Sequence, residues 1–365
     1  MNNLDPWYQA LLSLLVSEDQ SYSKSDRTGT GTKSLFGVQF RHNMSDGFPL
    51  LTTKKIAWKT MVTELLWFLR GDTNIRYLLE NGVHIWDGDS YKNYLKHNDE
   101  VDNYWIKKNP EIESRWKPYS QEEFINKIKT DDEFAKKWGE LGPVYGKQWR
   151  RWGGYKKEPN GWHHGIPLEY KDVPVGDQIK DLVEQLKTNP DSRRLMVNAW
   201  NVGELNEMVL PPCHFGFQCY TSKMNLEQRK KWWCDSLDKH LSYADDATSE
   251  FLNEKGVPER MLSLKWFQRS CDVPLGIPFN IASYAILLHL LAKEVNMVPH
   301  QLKFNGGDCH IYLNQVNGVK EQLKRETFEL PKLKLNNSSI FDLKFEDIEI
   351  LDYKSSDVIK FPLSN

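Results

Sequence analysis

The sequence predicts an α/β protein, because stretches with helical and with extended patterning alternate along its 365 residues. Apolar residues recur at helical spacing in a helix expected over roughly 56–70. Runs rich in apolar and aromatic residues at 195–200, 213–221 and 261–269 are typical of strands. The segment 281–292 is apolar on nearly every face, which indicates a buried central helix.

The chain is long enough to bury a substantial core, as one large domain or two smaller ones. Its first 20 residues lack the basic start of a signal peptide, so we expect an amphipathic helix there. A further helix is expected from Ile179 to Leu186, ended by Asn189 and Pro190. No apolar run reaches the ~20 residues that a membrane span needs, which favours a cytoplasmic protein that binds no membrane.

Two polar segments, about 88–131 and 222–260, interrupt this pattern. The first shows weak helical periodicity, and the second contains the helical-looking stretch KMNLEQRKKWWCDSLDKHL. Segments of this length without structure of their own are usually functional or mobile. We predict that both are surface insertions into one catalytic domain that spans 1–365.

Charge and cysteine content exclude several classes of protein. The net charge is −2, whereas a general nucleic-acid binder would carry a basic excess. Five cysteines occur, an odd number with no pair at CxxC spacing, so a disulfide framework is not expected.

Cys213 lies in LPPCHFGFQ, where two prolines precede it and an alternating aromatic run follows. On a strand it would share a face with Phe215 and Phe217, while His214 would face the other way, poorly placed as an adjacent base. The thiol could be an inert buried group, the usual state of a cysteine, or a nucleophile whose pKa nearby arginines lower. A metal site is disfavoured, because no partners lie at ligand spacing.

Glu64 lies three residues after Met61 and four before Phe68, on the apolar face of the helix expected over 56–70. A carboxyl in that position loses hydration, so its pKa should rise and it could exchange protons near neutrality. A buried glutamate with satisfied hydrogen bonds and no catalytic role is the alternative.

Two arginine-bearing segments could bind phosphate. SDRTGTGTKS, with Arg27, is a Gly/Thr-rich turn that could offer backbone N–H groups and a guanidinium, although it lacks the P-loop pattern. DSRR places Arg193 and Arg194 before an apolar strand, where their side chains would point to opposite faces. A flexible turn and a solvated strand end are the alternatives.

Polar residues also accumulate in QRSCDVPLGIPFNIASY and GGDCHIYLN. Asn280 could cap the buried helix, or it could offer a paired donor and acceptor to a planar amide-like ring. Asp308, His310 and Tyr312 alternate on a predicted strand. His310 and Tyr312 could bind a sugar hydroxyl or form hydrogen bonds within the core.

Together these segments resemble the thymidylate synthase family. RTGTGT, DGFPLLTTKK, ELLWFLRGDTNI, HIWD, LGPVYGKQWR, DSRR, LPPCH, QRSCD, GIPFNIASY and GDCHIY occur in family order. The resemblance implies an α/β (α+β) single-domain fold with a large bent mixed β-sheet flanked by helices. It implies dUMP as substrate, 5,10-methylenetetrahydrofolate as co-substrate, no metal, and a homodimer whose active sites use both subunits.

The resemblance also implies roles for individual residues. Cys213 matches the nucleophile that adds to C6 of the pyrimidine, and Glu64 matches the carboxylate that manages proton transfer through water. The matching phosphate ligands are Arg27, Arg269 and Ser270, with Arg193 and Arg194 reaching the site of the partner subunit. Gln268 matches a substrate ligand, and His310 and Tyr312 match the ligands of the ribose 3′-hydroxyl. Tyr145 and His214 match residues of the proton and water network. Lys54, Trp86 and Gly276 match folate contacts, and Asp272 matches a residue that serves both folate binding and catalysis.

Asn280 bears on the choice of base, because its amide can pair with N3–H and O4 of uracil. Family members that take cytosine have Asp at this position. Mispairing a buried polar edge costs about 1–3 kcal/mol per unsatisfied group, so dUMP is expected over dCMP.

The resemblance leaves two reactions open, since hydride transfer to a methylene intermediate on Cys213 gives thymidylate and attack by water gives 5-hydroxymethyl-dUMP. The family usually ends like IKAPVAV, a small apolar lid that folds over the ligands. This chain ends in IKFPLSN, and the polar Ser364 and Asn365 could let such a lid admit or position water. Asp89, or Phe134 in another alignment, replaces a second family tryptophan. We therefore predict a phage-like dUMP hydroxymethylase, in the host cytoplasm if viral. Thymidylate synthase is the alternative, and a non-catalytic nucleotide-binding module a remote one.

Overall fold

The computed structural model describes residues 2–108, 117–155, 162–163, 166–167, 172–237 and 239–364. These residues form two compact units. The sheet unit comprises the described parts of 1–56, 179–197 and 213–363, and the helical unit comprises those of 57–178, 198–212 and 364. The first predicted insertion lies in the helical unit and the second in the sheet unit.

The helices and strands follow in chain order. The helices are α1 Leu4–Val16, α2 Trp58–Leu69, α3 Arg76–Glu80, α4 Asp87–Lys108, α5 Gln121–Thr130, α6 Asp132–Trp138, α7 Tyr145–Arg150, α8 Gln178–Thr188, α9 Leu226–Ser236, α10 Ser249–Glu254, α11 Gly276–Glu294 and α12 Val316–Gln322. The strands are β1 Tyr22–Lys24, β2 Thr32–Asn43, β3 Trp152–Tyr155, β4 Trp162–His163, β5 Ile166–Pro167, β6 Asp172–Gly176, β7 Met196–Asn198, β8 His214–Lys223, β9 Arg260–Asp272, β10 Val298–Tyr312, β11 Lys332–Leu335 and β12 Ile348–Leu351.

The sheet unit is built on a six-stranded sheet with the order β1-β2-β10-β9-β8-β7. β9 and β10 run parallel, whereas β2 pairs antiparallel with β10 and β8 pairs antiparallel with β9. The connection between the two parallel strands is α11, which packs on both of them. This mixed sheet flanked by helices confirms the predicted α/β class.

α11 is the central helix that the sequence predicted, although it extends further at both ends. By length and mean hydropathy alone its 19 residues could cross a membrane, yet 67% of its apolar window is buried inside the protein. Tyr284, Leu287 and Leu291 are all at most 2% exposed. Burial on every side explains why the apolar residues show no single stripe.

In the helical unit, α2 matches the predicted helix closely. Met61, Leu65 and Phe68 are each at most 2% exposed, as the spacing requires. The helix ends at Leu69, and Gly71 follows with a φ of +71° while its N–H donates to the Phe68 carbonyl at 2.9 Å. A left-handed glycine is a common helix terminator.

Both polar insertions contain folded helices. In the first, α4 is 22 residues long, and Tyr94 and Phe124 pack with ring centroids 5.1 Å apart. In the second, the buried Arg229 guanidinium donates to the Asn253 side chain at 2.6 Å and to the Val257 carbonyl at 3.0 Å. Residues 109–116 of the first insertion lie outside the described residues.

Candidate active site

Cys213 directly precedes β8. The sequence had predicted that it lies within this strand, so that prediction is wrong by one residue. Pro211 and Pro212 lack the N–H groups that would extend the ladder, and pairing with β9 begins at His214. The Cys213 carbonyl accepts a hydrogen bond from the Arg269 N–H at 2.8 Å. The residue is half-buried, and none of the five cysteines, all of which the structure describes, forms a disulfide.

The alternation along β8 also differs from the prediction. Between His214 and Gly216 the register with β9 shifts, which leaves Phe215 as the extra residue of a β-bulge. A bulge reverses the faces beyond it. His214 and Phe217 therefore contact the same ring of Tyr284, at centroid distances of 5.4 and 5.9 Å, so the prediction that they face opposite sides is wrong.

His214 is buried, and its Nδ1 lies 2.9 Å from the Tyr284 hydroxyl. Burial lowers the pKa of His214 to about 3. A neutral imidazole with so low a pKa is a weak base near neutral pH. It can hold a hydrogen-bonded group in place more readily than it can remove a proton.

The turn that carries Arg27 is organised by Asp26. One carboxylate oxygen accepts from the Thr28 N–H and hydroxyl, both at 2.5 Å, and the other accepts from the Gly31 N–H at 3.1 Å. These hydrogen bonds, the Thr28 hydroxyl first, lower the pKa of Asp26. Gly31 has a φ of +80°, so the turn needs glycine there. The segment is thus a defined turn that holds Arg27 at the surface.

The other predicted phosphate ligands are also at the surface. Arg269 is exposed near the end of β9, and Ser270 beside it is half-buried. Arg193 and Arg194 are exposed in a tight turn, not on a strand, because the Arg194 carbonyl accepts from the Met196 N–H at 2.9 Å. The strand expected over 195–200 is accordingly shorter.

β10 positions His310 and Tyr312 as the alternation predicted, with ring centroids 5.2 Å apart. The His310 Nδ1 lies 3.2 Å from an Asp308 carboxylate oxygen, and Lys24 donates to the other oxygen at 2.9 Å. Burial first, then Asp272, raises the pKa of the Tyr312 phenol.

Electrostatic interactions show which predicted residues the sheet unit brings together. The Tyr312 phenol interacts with Arg27, Cys213 and Asp272, and Asp272 in turn interacts with His310. Residues from four separated sequence segments therefore share one neighbourhood. A guanidinium in the same neighbourhood favours the thiolate form of a cysteine.

Within this group, the Asp272 carboxyl is held in place by hydrogen bonds to both of its oxygens. One oxygen accepts from the Leu275 N–H at 3.0 Å, and the other accepts from the Gln315 amide at 3.2 Å. Burial is the main cause that raises the pKa of Asp272. Gln315 also donates to the Pro362 carbonyl at 3.2 Å, which joins the C-terminal segment to Asp272. Sequence reasoning missed Gln315, a fully buried amide three residues after the GDCHIY motif.

Lys54 is 4% exposed, and its ammonium donates to the Pro274 carbonyl. The ammonium also lies 4.9 Å from the centre of the Phe361 ring. Burial lowers the pKa of Lys54 to about 8. Lys54 thus holds the C-terminal segment through Phe361.

Asn280 lies inside α11, so of the two alternatives that the sequence left open, the helix cap is ruled out. The helix begins four residues earlier, at Gly276, and Asp272 accepts from the N–H of Leu275 just before it. Pro278 falls in the first turn, where a missing N–H leaves no intrahelical bond unmade. Pro278 is therefore compatible with a helix that begins at Gly276, before Asn280.

A buried hydrogen-bond chain leads to the Asn280 amide. The Trp266 indole N–H donates to the Gln268 carbonyl oxygen at 3.2 Å. The Gln268 amide nitrogen donates to the Ser270 carbonyl at 3.0 Å and to the Asn280 side-chain oxygen at 3.1 Å. Sequence reasoning had not singled out Trp266, whose only signal was an aromatic residue on an apolar strand.

The helical unit groups three of the other predicted residues. The Trp86 indole N–H donates to Glu64 at 2.8 Å, and the Tyr145 ring lies 6.3 Å from the Trp86 ring. Glu64 is on α2, as predicted, and burial raises its pKa to about 7. A carboxyl with this pKa both donates and accepts protons near neutrality.

The residues on which the hydroxymethylase prediction depended are also placed. Asp89 lies in the first turn of α4 and is half-buried. Phe134, on α6, packs against Phe124 of the first insertion, with ring centroids 5.7 Å apart. Ser364 is half-buried, and Asn365 lies outside the described residues. Within the described ranges, no group of three or more His, Cys, Asp or Glu residues is arranged to hold a metal ion.

Comparison with known proteins gives a family over nearly the whole chain. The family model "Thymidylate synthase" matches residues 7–365. The thymidylate synthase of Mesoplasma florum is 42% identical over 349 residues, covering 95% of this chain and 96% of that protein. The thymidylate synthase of Mycoplasma mobile is 41% identical over 355 residues, covering 97% of each. That of Staphylococcus haemolyticus is 40% identical over 377 aligned positions, covering 100% of this chain and 99% of that protein.

Proposed function

Because the chain belongs to the thymidylate synthase family, we propose that it transfers a one-carbon unit from 5,10-methylenetetrahydrofolate to C5 of dUMP, releasing thymidylate and dihydrofolate. The observation that carries the proposal is the meeting of distant segments in the sheet unit: the Arg269 N–H donates to the Cys213 carbonyl at 2.8 Å, and β10 pairs His310 with Asp272 of β9. The names of the three relatives support thymidylate synthesis over the predicted hydroxymethylase, and their bacterial sources give no support to a phage-like enzyme.

Cys213 is proposed as the nucleophile. Its thiolate forms a bond to C6 of the pyrimidine, and the displaced electron pair makes C5 nucleophilic. Arg27 and Arg269 are proposed to bind the phosphate, for which exposed guanidinium groups are suited. Their positive charge also favours the thiolate.

Asn280 is proposed to read the base, and His310 and Tyr312 to bind the ribose hydroxyl. The Asn280 side chain offers an acceptor to N3–H and a donor to O4 of uracil. The half-buried position on α11 supports this role, because the amide is held by Gln268 and keeps access to a ligand.

Glu64 is proposed to carry protons. C5 must lose its proton after it has been alkylated, and the bond between Cys213 and C6 must break to release the product. A group with a pKa of about 7 can take up and return protons near neutral pH without a large energetic penalty. Tyr145 and His214 are proposed to order the water through which these protons move.

Folate is proposed to contact Trp86, Lys54, Asp272 and Gly276. When bound, it would supply the one-carbon unit and the hydride that reduces it to a methyl group. The donor set fits this ligand in chemical character, since Asp272 can accept from ring N–H groups and Trp86 offers an aromatic surface. The raised pKa of Asp272 also makes proton sharing with such a ring favourable.

Product analysis tests the proposal directly. Incubation with dUMP and methylenetetrahydrofolate should give thymidylate and an equal amount of dihydrofolate, followed by its absorbance and by mass spectrometry. A product heavier than thymidylate by one oxygen atom, formed without dihydrofolate, would contradict the proposed synthase activity and support the predicted hydroxymethylase. Ser364→Val is the matched control for the hydroxymethylase outcome. It replaces a polar residue of the C-terminal segment by an apolar one, so any role of a polar lid in admitting water should be weakened.

We also propose a homodimer joined through the sheet. Tyr220 and Met196, on the neighbouring strands β8 and β7, are 70% and 53% exposed, so two large apolar side chains at this edge of the sheet are available to a partner. The exposed turn with Arg193 and Arg194 directly precedes β7, so its guanidinium groups are proposed to reach the phosphate in the partner's site. A cytoplasmic location is proposed with it, since a reducing compartment keeps Cys213 as a thiol.

Mixing a variant that lacks the nucleophile with one that is weakly active at low dUMP concentration tests the shared site. Cys213→Ser chains and Arg194→Ala chains should restore roughly a quarter of wild-type activity after unfolding and reassociation together, because each mixed dimer regains one intact site. If Arg194 serves its own subunit, no mixed dimer has an intact site and activity stays at the level of the separate variants. Light scattering of the wild-type protein should give twice the chain mass.

A further inference from the structure

Trp266 occupies a special position in the core of the sheet unit. It is fully buried on β9, and its ring stacks on that of Tyr284 at 5.1 Å with an interplanar angle of 11°. The indole N–H donates to the Gln268 side chain two residues further along the same strand. The Trp266 indole is therefore held by stacking on one ring and oriented toward one amide.

The indole sets the polarity of the Gln268 amide. An indole N–H is a donor only, so the side-chain atom of Gln268 that faces it must be the oxygen. The amide nitrogen then faces the Ser270 carbonyl and the Asn280 side chain. A carbonyl is an acceptor only, so the Ser270 contact requires the same orientation.

The orientation of the Gln268 amide in turn determines the orientation of the Asn280 amide. Because the Gln268 nitrogen donates to it, the atom of Asn280 that faces Gln268 is the oxygen, at 3.1 Å. If Asn280 turned over, its own amide nitrogen would face the Gln268 nitrogen, and two donors would meet in a site where Gln268 is 3% exposed. An unmade hydrogen bond in such a place leaves a buried donor without an acceptor, which disfavours the turned-over amide.

We propose that Trp266 is a positioning residue that sets pyrimidine selectivity, because its indole N–H fixes, through Gln268, which end of the Asn280 amide is the donor. The inference rests on the proposed function, in which Asn280 reads the base. Uracil presents N3–H and O4, whereas cytosine presents an unprotonated N3 and an amino group. A freely turning amide could pair with either base, and a fixed one favours uracil.

Binding of dUMP and dCMP without folate, measured by calorimetry, tests the inference. Trp266→Phe keeps a ring against Tyr284 and removes the donor, so the ratio of dCMP to dUMP dissociation constants should fall by about fivefold, which is about 1 kcal/mol. The effect is partial because the Ser270 carbonyl remains. Loss of packing alone would weaken both nucleotides equally and leave the ratio unchanged, which would overturn the inference.

Two further proteins complete the experiment. Trp67→Phe is the matched control, because Trp67 is also fully buried and its indole N–H donates to the Asn74 carbonyl at 2.9 Å. It should lose stability and keep the ratio. If Trp266→Phe does not fold, placing 3-benzothienylalanine at position 266 removes the N–H and keeps the ring shape, and the same fall is expected. A wild-type protein that binds neither nucleotide would contradict the proposed function instead, so the two failures are distinguishable.

Discussion

The phosphate end and the base end of the proposed substrate site differ in their exposure. Arg27 and Arg269, proposed for the phosphate, are exposed on a turn and near a strand end. Gln268, which holds the Asn280 amide proposed to read the base, is 3% exposed, and Trp266, which donates to Gln268, is fully buried. Exposed charges attract an anion over a distance and tolerate small rearrangements, but water and salt screen them. Buried amides discriminate, because every unmade hydrogen bond there has a full cost.

Affinity and selectivity are therefore expected to come from different ends. Removing an exposed arginine should weaken every nucleotide with a phosphate by a similar factor. Changing the buried amides should alter the preference among bases. The following changes test this division, beginning with the largest expected effect.

Cys213→Ser leaves both ends in place and removes the nucleophile. Turnover should fall by at least about 10⁴-fold, because a serine hydroxyl with an ordinary pKa is a poor nucleophile. Binding of dUMP should stay within about threefold, since the arginines and amides are unchanged. Rapid-quench assays and calorimetry measure the two quantities.

Cys219→Ser is the control for the loss of a thiol, because Cys219 is buried on β8 and has no proposed role. It should retain most of the turnover of the wild-type protein. Normal product formation by Cys213→Ser would contradict the proposed chemistry at its first step.

Glu64→Gln tests how a half-buried carboxyl with a raised pKa links stability to pH. Burial raises the pKa of Glu64 from 4.5 to about 7, so its protonated form favours the folded state. That contribution is complete below about pH 4.5 and is lost as the pH rises through about 7. Between pH 4.5 and 8 the wild-type protein should therefore lose about 3 kcal/mol of unfolding free energy relative to Glu64→Gln.

Urea denaturation of both proteins across this range measures the difference. Glu184→Gln is the control, because Glu184 is exposed on α8 and keeps its hydration when the protein folds. Parallel pH profiles for the wild-type protein and Glu64→Gln would show that Glu64 is hydrated in solution and would remove its proposed proton role.

The sequence predicted the periodic parts of this protein well. The buried face of α2, the position of α8 and the apolar core helix α11 follow from spacing alone, since burial on one or all sides leaves a repeating pattern. Glu64 was found in the same way, because a charged residue interrupts an apolar face. A carboxyl whose pKa burial raises to about 7 was thus visible before the fold was known.

Features that depend on contacts between distant segments were not predictable. The bulge at Phe215 follows from the register between β8 and β9, which alternation within one strand does not contain. The bond from Trp266 to Gln268 has a spacing of two, the ordinary spacing of any residues on one strand face. Gln315 meets Asp272 only because the chain returns there after β10.

Asn280→Asp acts at the buried end. A carboxyl can accept from the Gln268 amide as Asn280 does, so the link to Trp266 survives. The donor for O4 of uracil is lost, and an acceptor for the amino group of cytosine is gained. The preference for dUMP over dCMP should fall by about a hundredfold, measured as the ratio of kcat/KM or of dissociation constants.

Asn305→Asp is the charge control, because Asn305 is half-buried on β10 with no proposed contact to the base. It should leave the preference unchanged. If Asn280→Asp kept the selectivity of the wild-type protein, the base would be read elsewhere. The proposal that the buried base end of the site sets selectivity would then be wrong.

Arg27→Ala acts at the exposed end and should have the smallest effect. The dissociation constant of dUMP should rise by about tenfold, because one charge-assisted contact to the phosphate is lost while the other arginines remain. Binding of deoxyuridine, which has no phosphate, should not change. The dependence of dUMP affinity on salt should also weaken, since one screened attraction has been removed.

Arg27→Lys and Lys320→Ala sharpen this last experiment. The lysine keeps the charge and loses the planar fork, so its affinity for dUMP should lie between the wild-type protein and Arg27→Ala. Lys320 is exposed on α12, and its loss should leave dUMP affinity unchanged. If Arg27→Ala weakened deoxyuridine as much as dUMP, the Asp26 turn would support the base or the ribose, and exposure would not separate affinity from selectivity.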